Sequence, residues 1–383
     1  MYTRVAVRSL VTAASRLLGR GPVVRAGATD ALARLYPNRS IALVDSGTSA
    51  LTHILRITTP ADGRTPVVAL PGYACPDIAT AAIGAGFGLL LYDLDPTTLE
   101  PNEQSLRLCL SAGATHVLAV HLFGRVVDVA GLSTICSEYG ALLIEDAAQH
   151  AGGTRDGVRG GAMAPWSILS FGRGKGLNAG GGGAVLAPPG MTTLAWGTAE
   201  PSLARELQVL SLAAATEWLS APWAYALLSS LPMLGIGATV YRAPQTPTLM
   251  GRVTARLLID ALAAEPAILA GRRAIATEYR EALAPCHGLL LPVCAGVASG
   301  ALREPVALAT PAPAPLVRAG VGRSYPRTLH EYPAVQERLV ASPESLAGAE
   351  WLARHVWTLP THARVTPGMR EAIIAGIRAL IIA

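Results

Sequence analysis

Lysine is almost missing from this 383-residue chain: among its 31 lysines and arginines, Lys175 is the one lysine. Arginine replaces lysine wherever only charge matters, but a guanidinium neither gives up its proton near neutral pH nor condenses with an aldehyde to an imine. The survivor is therefore either a chance surface residue or a position whose chemistry needs a primary amine. Its setting favours the second reading. Ahead of it runs the apolar, strand-like Trp166-Ser167-Ile168-Leu169-Ser170-Phe171, and behind it the glycines Gly180 to Gly183 let backbone or a ligand approach closely.

Charge is also scarce, at 15 % of residues against 51 % hydrophobic, which excludes a disordered chain and predicts a large buried core. The length suits one large and one small domain. The five cysteines, Cys75, Cys109, Cys136, Cys286 and Cys294, are odd in number and lack metal-ligand spacing. They read as reduced core residues of a cytoplasmic protein, and no metal site is expected. Acid is absent before Asp30, whereas Arg4, Arg8, Arg16, Arg20 and Arg25 precede it; the net charge of +5 is thus confined to this end. A neutral remainder argues against a nucleic-acid face on the main body. Drawn as a helix, Val7, Leu10, Val11, Ala14, Leu17 and Leu18 share one side, with the first four arginines elsewhere. Docking of this arm on the body or on a partner subunit is favoured over contact with a membrane surface. The arginines interrupt the apolar run and argue against a secretory signal. An uninterrupted membrane span is lacking too: residues 201–240 read as mostly helical, with no charge between Trp218 and Tyr241, but Pro222 and Pro232 break the stretch. A buried helical pair, or the wall of an apolar substrate pocket, is expected there.

What is present is an alternation of short apolar runs with helix-compatible segments. Strands are predicted at Ile41–Val44, Val67–Leu70, Gly88–Tyr92, His116–Val120, Ala141–Ile144, Ser167–Phe171 and Ala184–Ala187, with helices such as Ala50–Ile57, Asp77–Ala85 and Ala130–Tyr139 between them. This predicts an α/β fold with a mainly parallel seven-stranded sheet and ligands at the carboxyl ends of its strands. A long helical pattern runs from about residue 255 through Glu281, a Pro/Ala-rich linker covers Thr310–Pro315, and a last helix covers Pro367–Ile381. The expected division is a basic helical arm over residues 1–30, a large domain over 31–255 and a smaller C-terminal α+β domain over 256–383.

Four further pieces surround the lysine argument. Asp45-Ser46-Gly47-Thr48-Ser49-Ala50-Leu51 runs from a strand into a helix, which makes either an anion site suited to phosphate, with the Thr48 and Ser49 hydroxyls, or an ordinary N-cap. Ile144-Glu145-Asp146-Ala147-Ala148-Gln149-His150 ends a strand in an acid that could hold a pyridine nitrogen protonated, or instead form a structural ion pair or cap; Gln149 could then reach a ring hydroxyl. In Val120-His121-Leu122-Phe123-Gly124 a core histidine is the favoured reading. Ser170, five residues before Lys175, could reach the same phosphate. Together these describe an aldehyde cofactor with a phosphate and a basic ring nitrogen, which is pyridoxal 5′-phosphate.

The blocks SGTSAL, HLFG, EDAAQ and SFGRGKGLNAGGGG, with PGYACPDIATAAIGAGF, LYDLDPTTLEPN, GIGATVYRAP, SYPRTLHEYPA and LPTHARVTP, resemble in order the DegT/StrS family of sugar aminotransferases over roughly residues 40–383. The resemblance implies the fold type I architecture of aspartate aminotransferase, a homodimer with two interface sites, and a role in sugar biosynthesis. It further implies Lys175 as the Schiff-base lysine, Asp146 on the pyridine nitrogen, Gln149 near the ring hydroxyl, and Thr48, Ser49 and Ser170 on the phosphate. The reaction implied moves an amino group from an amino acid, glutamate by resemblance, to a keto acceptor such as a nucleotide-linked keto sugar. The chain departs from the family where Cys75 aligns with an aromatic residue stacked on the cofactor, a part that Tyr73 is expected to take. It departs again where Val240-Tyr241-Arg242 replaces an Asn-Tyr-Arg segment, and in its rewritten N-terminal region. Two rivals remain: another fold type I reaction (decarboxylation, dehydration or carbon–carbon bond formation) on a hydrophobic or carrier-bound substrate, and a cofactor-binding sensor without turnover. In dehydratases resembling this family a histidine replaces the lysine, so Lys175 speaks against that version.

Overall fold

The computed structural model of the protein describes residues 21–191, 199–218, 241–286 and 288–382. Five-residue apolar runs extend as strands, and between them apolar residues recur at helical spacing. In chain order the first part holds α1 (Gly21–Ala33), β1 (Ser40–Val44), α2 (Gly47–Ile57), β2 (Val67–Pro71), α3 (Asp77–Gly84), β3 (Gly88–Tyr92), α4 (Glu103–Ser111), β4 (His116–Val120), α5 (Val129–Glu138), β5 (Leu142–Asp146), β6 (Thr154–Arg155), β7 (Val158–Arg159), β8 (Trp166–Ser170) and β9 (Gly183–Ala187). Seven of these strands form one sheet in the order β1-β9-β8-β5-β4-β2-β3, and they are the seven that the sequence predicts. Only β9 runs against its neighbours, pairing antiparallel with both β8 and β1. Its link from β8 carries no crossover helix, which a parallel return requires. β2 and β4 are buried at every residue, as expected of central parallel strands covered on both faces.

The second part holds α6 (Leu203–Trp218), α7 (Arg252–Leu283), β10 (Val297–Ala298), β11 (Arg303–Ala307), α8 (Ala314–Arg318), α9 (Pro333–Gln336), α10 (Ala347–His355), β12 (Val356–Pro360) and α11 (Pro367–Ile382). α8 starts inside the stretch expected to be a linker, because Pro315 in its first turn is already set for helix and loses no hydrogen bond there. The 32-residue α7 serves two cores. Its Leu257, Leu258 and Leu262 join Val24, Ala28 and Leu32 of α1, while Tyr279 and Leu283 join Val306, Leu359 and Ile373. The largest core lies around the sheet and takes in Tyr325, Leu329 and Leu352 from the C-terminal part. α1 crosses the arm boundary expected at residue 30 and is docked on the body: Arg25 pairs with Glu200 and donates to the Met250 carbonyl at 3.1 Å. The amphipathic pattern at Val7–Leu18, Val240 and residues 219–240 of the apolar stretch lie outside the described residues. Among the described residues no helix is long and apolar enough to cross a membrane. All five cysteines are free, but only Cys109 and Cys136 are fully buried; Cys75, Cys286 and Cys294 are half-buried.

Burial holds four imidazoles neutral, pushing His116 down to about 4 and His53, His150 and His362 down to about 3 from an ordinary 6.5. Because these folded values lie below the unfolded one, their contribution to stability is complete above pH 6.5 and is lost as pH falls through the folded values, unfolding taking up protons. The thermal midpoint is therefore expected to hold level from about pH 8 to 7 and to fall progressively below about pH 6.5. Equal midpoints at about pH 7 and about pH 4.5 would contradict this account.

Candidate active site

The carboxyl ends of β1, β5 and β8 meet beside the first turn of α2. That turn starts as the sequence suggests, but the cap is Ser46: in extended conformation, its hydroxyl accepts the Ser49 N–H at 3.0 Å and donates to the Ser49 hydroxyl at 2.9 Å. Ser49 is buried and Thr48 half-buried just behind it. Ser170 reaches this turn only because residue 47 is glycine; a Cβ there would lie 2.8 Å from the Ser170 Cβ and 3.1 Å from its hydroxyl oxygen. A Cβ on Gly183 would likewise lie 2.4 Å from the Ser46 carbonyl oxygen. Two glycines thus draw three turns together, and Thr48, Ser49 and Ser170 share the positive end of a helix, where an anion is held best.

Lys175 lies on the link from β8 to β9. The link is fixed at its base, where Phe171 donates to the Gly182 carbonyl and Gly182 to the Asp45 carbonyl, both at 2.9 Å. Its tip turns through Gly174 (φ 82°), and the Lys175 N–H donates to the Gly172 carbonyl at 3.2 Å. Gly176 presses on the turn after β5, where an added Cβ would lie 2.5 Å from the Ala151 Cα. That contact brings the lysine to Asp146, the last residue of β5. Asp146 is 5 % exposed and accepts the Ala148 N–H at 2.9 Å. Burial raises its carboxyl above the ordinary value, opposed by the nearby Lys175 charge and the Ala148 N–H. Among the described residues no ion pair of ordinary length holds Asp146. Cys75 lies close enough to feel both Lys175 and Asp146, and burial pushes its thiol up to about 12.

Gln149 is held at both ends of its amide: its oxygen accepts the Phe123 N–H at 3.2 Å, and its nitrogen donates to the Tyr325 hydroxyl. Tyr73 is fully buried, its ring edge-on to that of Tyr325 with centroids 5.4 Å apart. Among the described residues nothing partners its hydroxyl. His121, as favoured from sequence, is a core residue: it is fully buried, 2.7 Å from Glu145 through Nε2, and takes the Val127 N–H at 3.3 Å. Glu145 also accepts from Gly161, Met163, Ala164 and Ser167. Its burial alone would raise the carboxyl, but His121 and the Gly161 and Ala164 N–H groups bring it down to about 2. Successive residues of a strand face opposite ways, so Glu145 fixes β5 from behind while Asp146 faces the lysine.

Sequence reasoning passed over Ser46, Phe123 and Tyr325. Ser46 carried a legible signal, a serine three residues before another donor at a helix start. Phe123 occupies left-handed backbone at φ 57°, and Tyr325 meets Gln149 across 176 residues of chain. Neither leaves a local pattern.

The residues present fit pyridoxal 5′-phosphate. A glycine-opened cradle at a helix start suits the phosphate, a buried carboxyl that no ion pair among the described residues engages suits the pyridine nitrogen, and the amide nitrogen of Gln149 keeps a second hydrogen to donate. Lys175 brings a primary amine, the group that an aldehyde requires.

Comparison with known proteins agrees. Residues 12–193 match the DegT/DnrJ/EryC1/StrS aminotransferase family. An L-glutamine:2-deoxy-scyllo-inosose aminotransferase of Streptomyces fradiae is 30 % identical over 141 residues, which is 37 % of this chain and 33 % of that protein. The chain thus spans about a third of the length of this relative. A dTDP-3-amino-3,4,6-trideoxy-alpha-D-glucose transaminase of Micromonospora megalomicea subsp. nigra is 28 % identical over 279 residues, or 69 % of this chain and 65 % of that one. The fold matches the crystal structure of a DegT DnrJ EryC1 StrS aminotransferase from Brucella abortus with a TM-score of 0.74 at 22 % identity, over 98 % of this chain and 95 % of that one. In sequence the chain thus resembles the DegT/DnrJ/EryC1/StrS aminotransferase family over residues 12–193, and it shares the fold of a solved protein of that name along nearly its whole length.

Proposed function

We propose that the protein is a pyridoxal-phosphate-dependent aminotransferase that moves an amino group from an amino acid, glutamate first among the candidates, to a keto acceptor such as a nucleotide-linked keto sugar. The observation that carries this reading is the meeting of the one lysine with a buried, proton-favouring Asp146 beside an open helix start. The cofactor, when bound, supplies an electron sink for the bond broken at the donor's α-carbon. Lys175 would bind its aldehyde covalently and, as a free amine, would take the proton from the donor's α-carbon and hand it to the cofactor. Asp146 keeps the ring nitrogen protonated, and Gln149 donates to the ring hydroxyl. Thr48, Ser49 and Ser170 hold the phosphate with the α2 N-terminus, and Tyr73 flanks the ring. The same reading includes a homodimer in the cytoplasm, and a large domain over 31–255 sharing α7 with a small one over 256–383. The relatives' names, a dTDP-sugar transaminase and aminotransferases of a keto cyclitol, support a polyhydroxylated keto acceptor. The latter also favour a second reading in which glutamine is the donor.

The test is a single half-reaction. Protein loaded with pyridoxal phosphate and given glutamate or glutamine in separate runs is expected to release the matching keto acid in an amount equal to its sites, and to stop until an acceptor is added. Cofactor binding without keto acid from either donor would overturn the aminotransferase and favour another reaction of this fold or a sensor.

A further inference from the structure

Gln149 is fixed from two distant parts of the chain, residue 123 and residue 325. Its oxygen is taken by the Phe123 N–H, from the turn after β4, so its nitrogen must be the end that faces Tyr325. An amide nitrogen has two hydrogens, and with one on Tyr325 the other is left for a ligand. Tyr325 is itself well anchored. It is 7 % exposed and stands edge-on to Tyr73, and its segment is tied in on both sides by paired bonds between Gly322 and Thr358 of β12 and by the Leu329 N–H to the Gly72 carbonyl at 2.8 Å. The Phe123 turn is tied to the same C-terminal part, with Leu302 donating to the Phe123 carbonyl at 3.1 Å and Gly300 to the Gly124 carbonyl at 2.8 Å.

Resting on the aminotransferase reading, we propose that Tyr325 is a positioning residue: its hydroxyl orients the Gln149 amide toward the cofactor and couples cofactor binding to the order of the segment 321–332. A phenylalanine there would keep the ring contact with Tyr73 and lose only the hydroxyl. Gln149 would then be held by one bond instead of two, and its free N–H would no longer be aimed.

The experiment compares wild type, Tyr325→Phe and Gln149→Glu by amide hydrogen exchange and by titration of the cofactor-free protein with pyridoxal phosphate. Without cofactor, Tyr325→Phe is expected to speed exchange of the Phe123 amide, whose acceptor has lost its second anchor, while β11 and β12 keep wild-type protection. With cofactor, Tyr325→Phe should raise the dissociation constant about 5–10-fold and abolish the added protection of residues 321–332, a loss of the size expected for one buried hydrogen bond. Gln149→Glu still accepts from Phe123 and can accept from the Tyr325 hydroxyl, so it should keep the Phe123 amide slow yet bind the cofactor weakly. The proposal is overturned if Tyr325→Phe leaves the Phe123 amide at its wild-type rate, or if it also releases β11 and β12, since Tyr325 would then serve the fold alone. The cofactor-free arm reads the coupling even where wild type fails to bind pyridoxal phosphate, an outcome that would sink the functional reading instead.

Discussion

Lys175→Ala is expected to lower turnover by about 10²–10⁴-fold from the loss of proton transfer alone. The informative companion is Lys175→Arg. In a chain that uses arginine at every other basic position, charge is evidently satisfied by a guanidinium, so restoring the charge should restore nothing. Keto acid release from glutamate measures both variants. In parallel, borohydride reduction should fix the cofactor to a Lys175-containing peptide in wild type and leave both variants unlabelled. Since Lys175 is half-buried in a link held by backbone bonds, neither change should disturb folding. Turnover by Lys175→Arg within tenfold of wild type would remove the lysine from the chemistry.

Asp146→Asn is expected to separate rate from stability. Its carboxyl is raised by burial, so at neutral pH the charged form costs the empty protein stability, and that cost is relieved as pH falls through the folded value. Asparagine has nearly the same shape and no charge to bury, so the cofactor-free variant should melt at the wild-type temperature or above it. Turnover should nevertheless fall about 10²–10³-fold, the scale of losing a fixed charge aimed at developing charge. Melting curves without cofactor and keto acid release with it make the comparison. A variant that melts several degrees lower with its rate intact would assign Asp146 to the fold.

How far the sequence carried the argument depends on how local each signal was. The seven strands are five-residue apolar runs bounded by turn residues, so their positions were legible to within two residues. The direction of β9 is set by the absence of a crossover helix in a link whose glycines were noticed for another reason. Lys175, Asp146, Gln149 and Ser170 each sit beside a strand end, a place that pattern alone can find. What pattern could not find is what holds them. Gly47 and Gly183 matter through what a Cβ would strike on another turn. Tyr325 and the Phe123 backbone meet Gln149 only after the sheet has folded and the C-terminal segment has packed on it. α1 was read as part of a charged arm because Arg25 stands in it, yet its Val24, Ala28 and Leu32 belong to a core. A helix docked on its neighbour by one stripe can carry arginine on the rest of its circumference.

The pairing of Ser170 with Gly183 closes a short hairpin whose tip carries Lys175. An amine tethered in this way does not diffuse from its partner, and well-oriented groups of this kind act as though present at concentrations that no free solute attains. On the proposed reading, the effect of tethering Lys175 would work in opposite directions in the two halves of a turnover. An incoming amino donor has to outcompete a covalently leashed rival of high effective molarity, which calls for a donor abundant in its compartment or one held by contacts of its own. The aminated product leaving in the second half would face the same rival and be displaced by it, whereas the keto acid of the first half would leave by hydrolysis. Lengthening the hairpin with flexible residues should therefore lower the donor concentration that half-saturates the protein while slowing product departure.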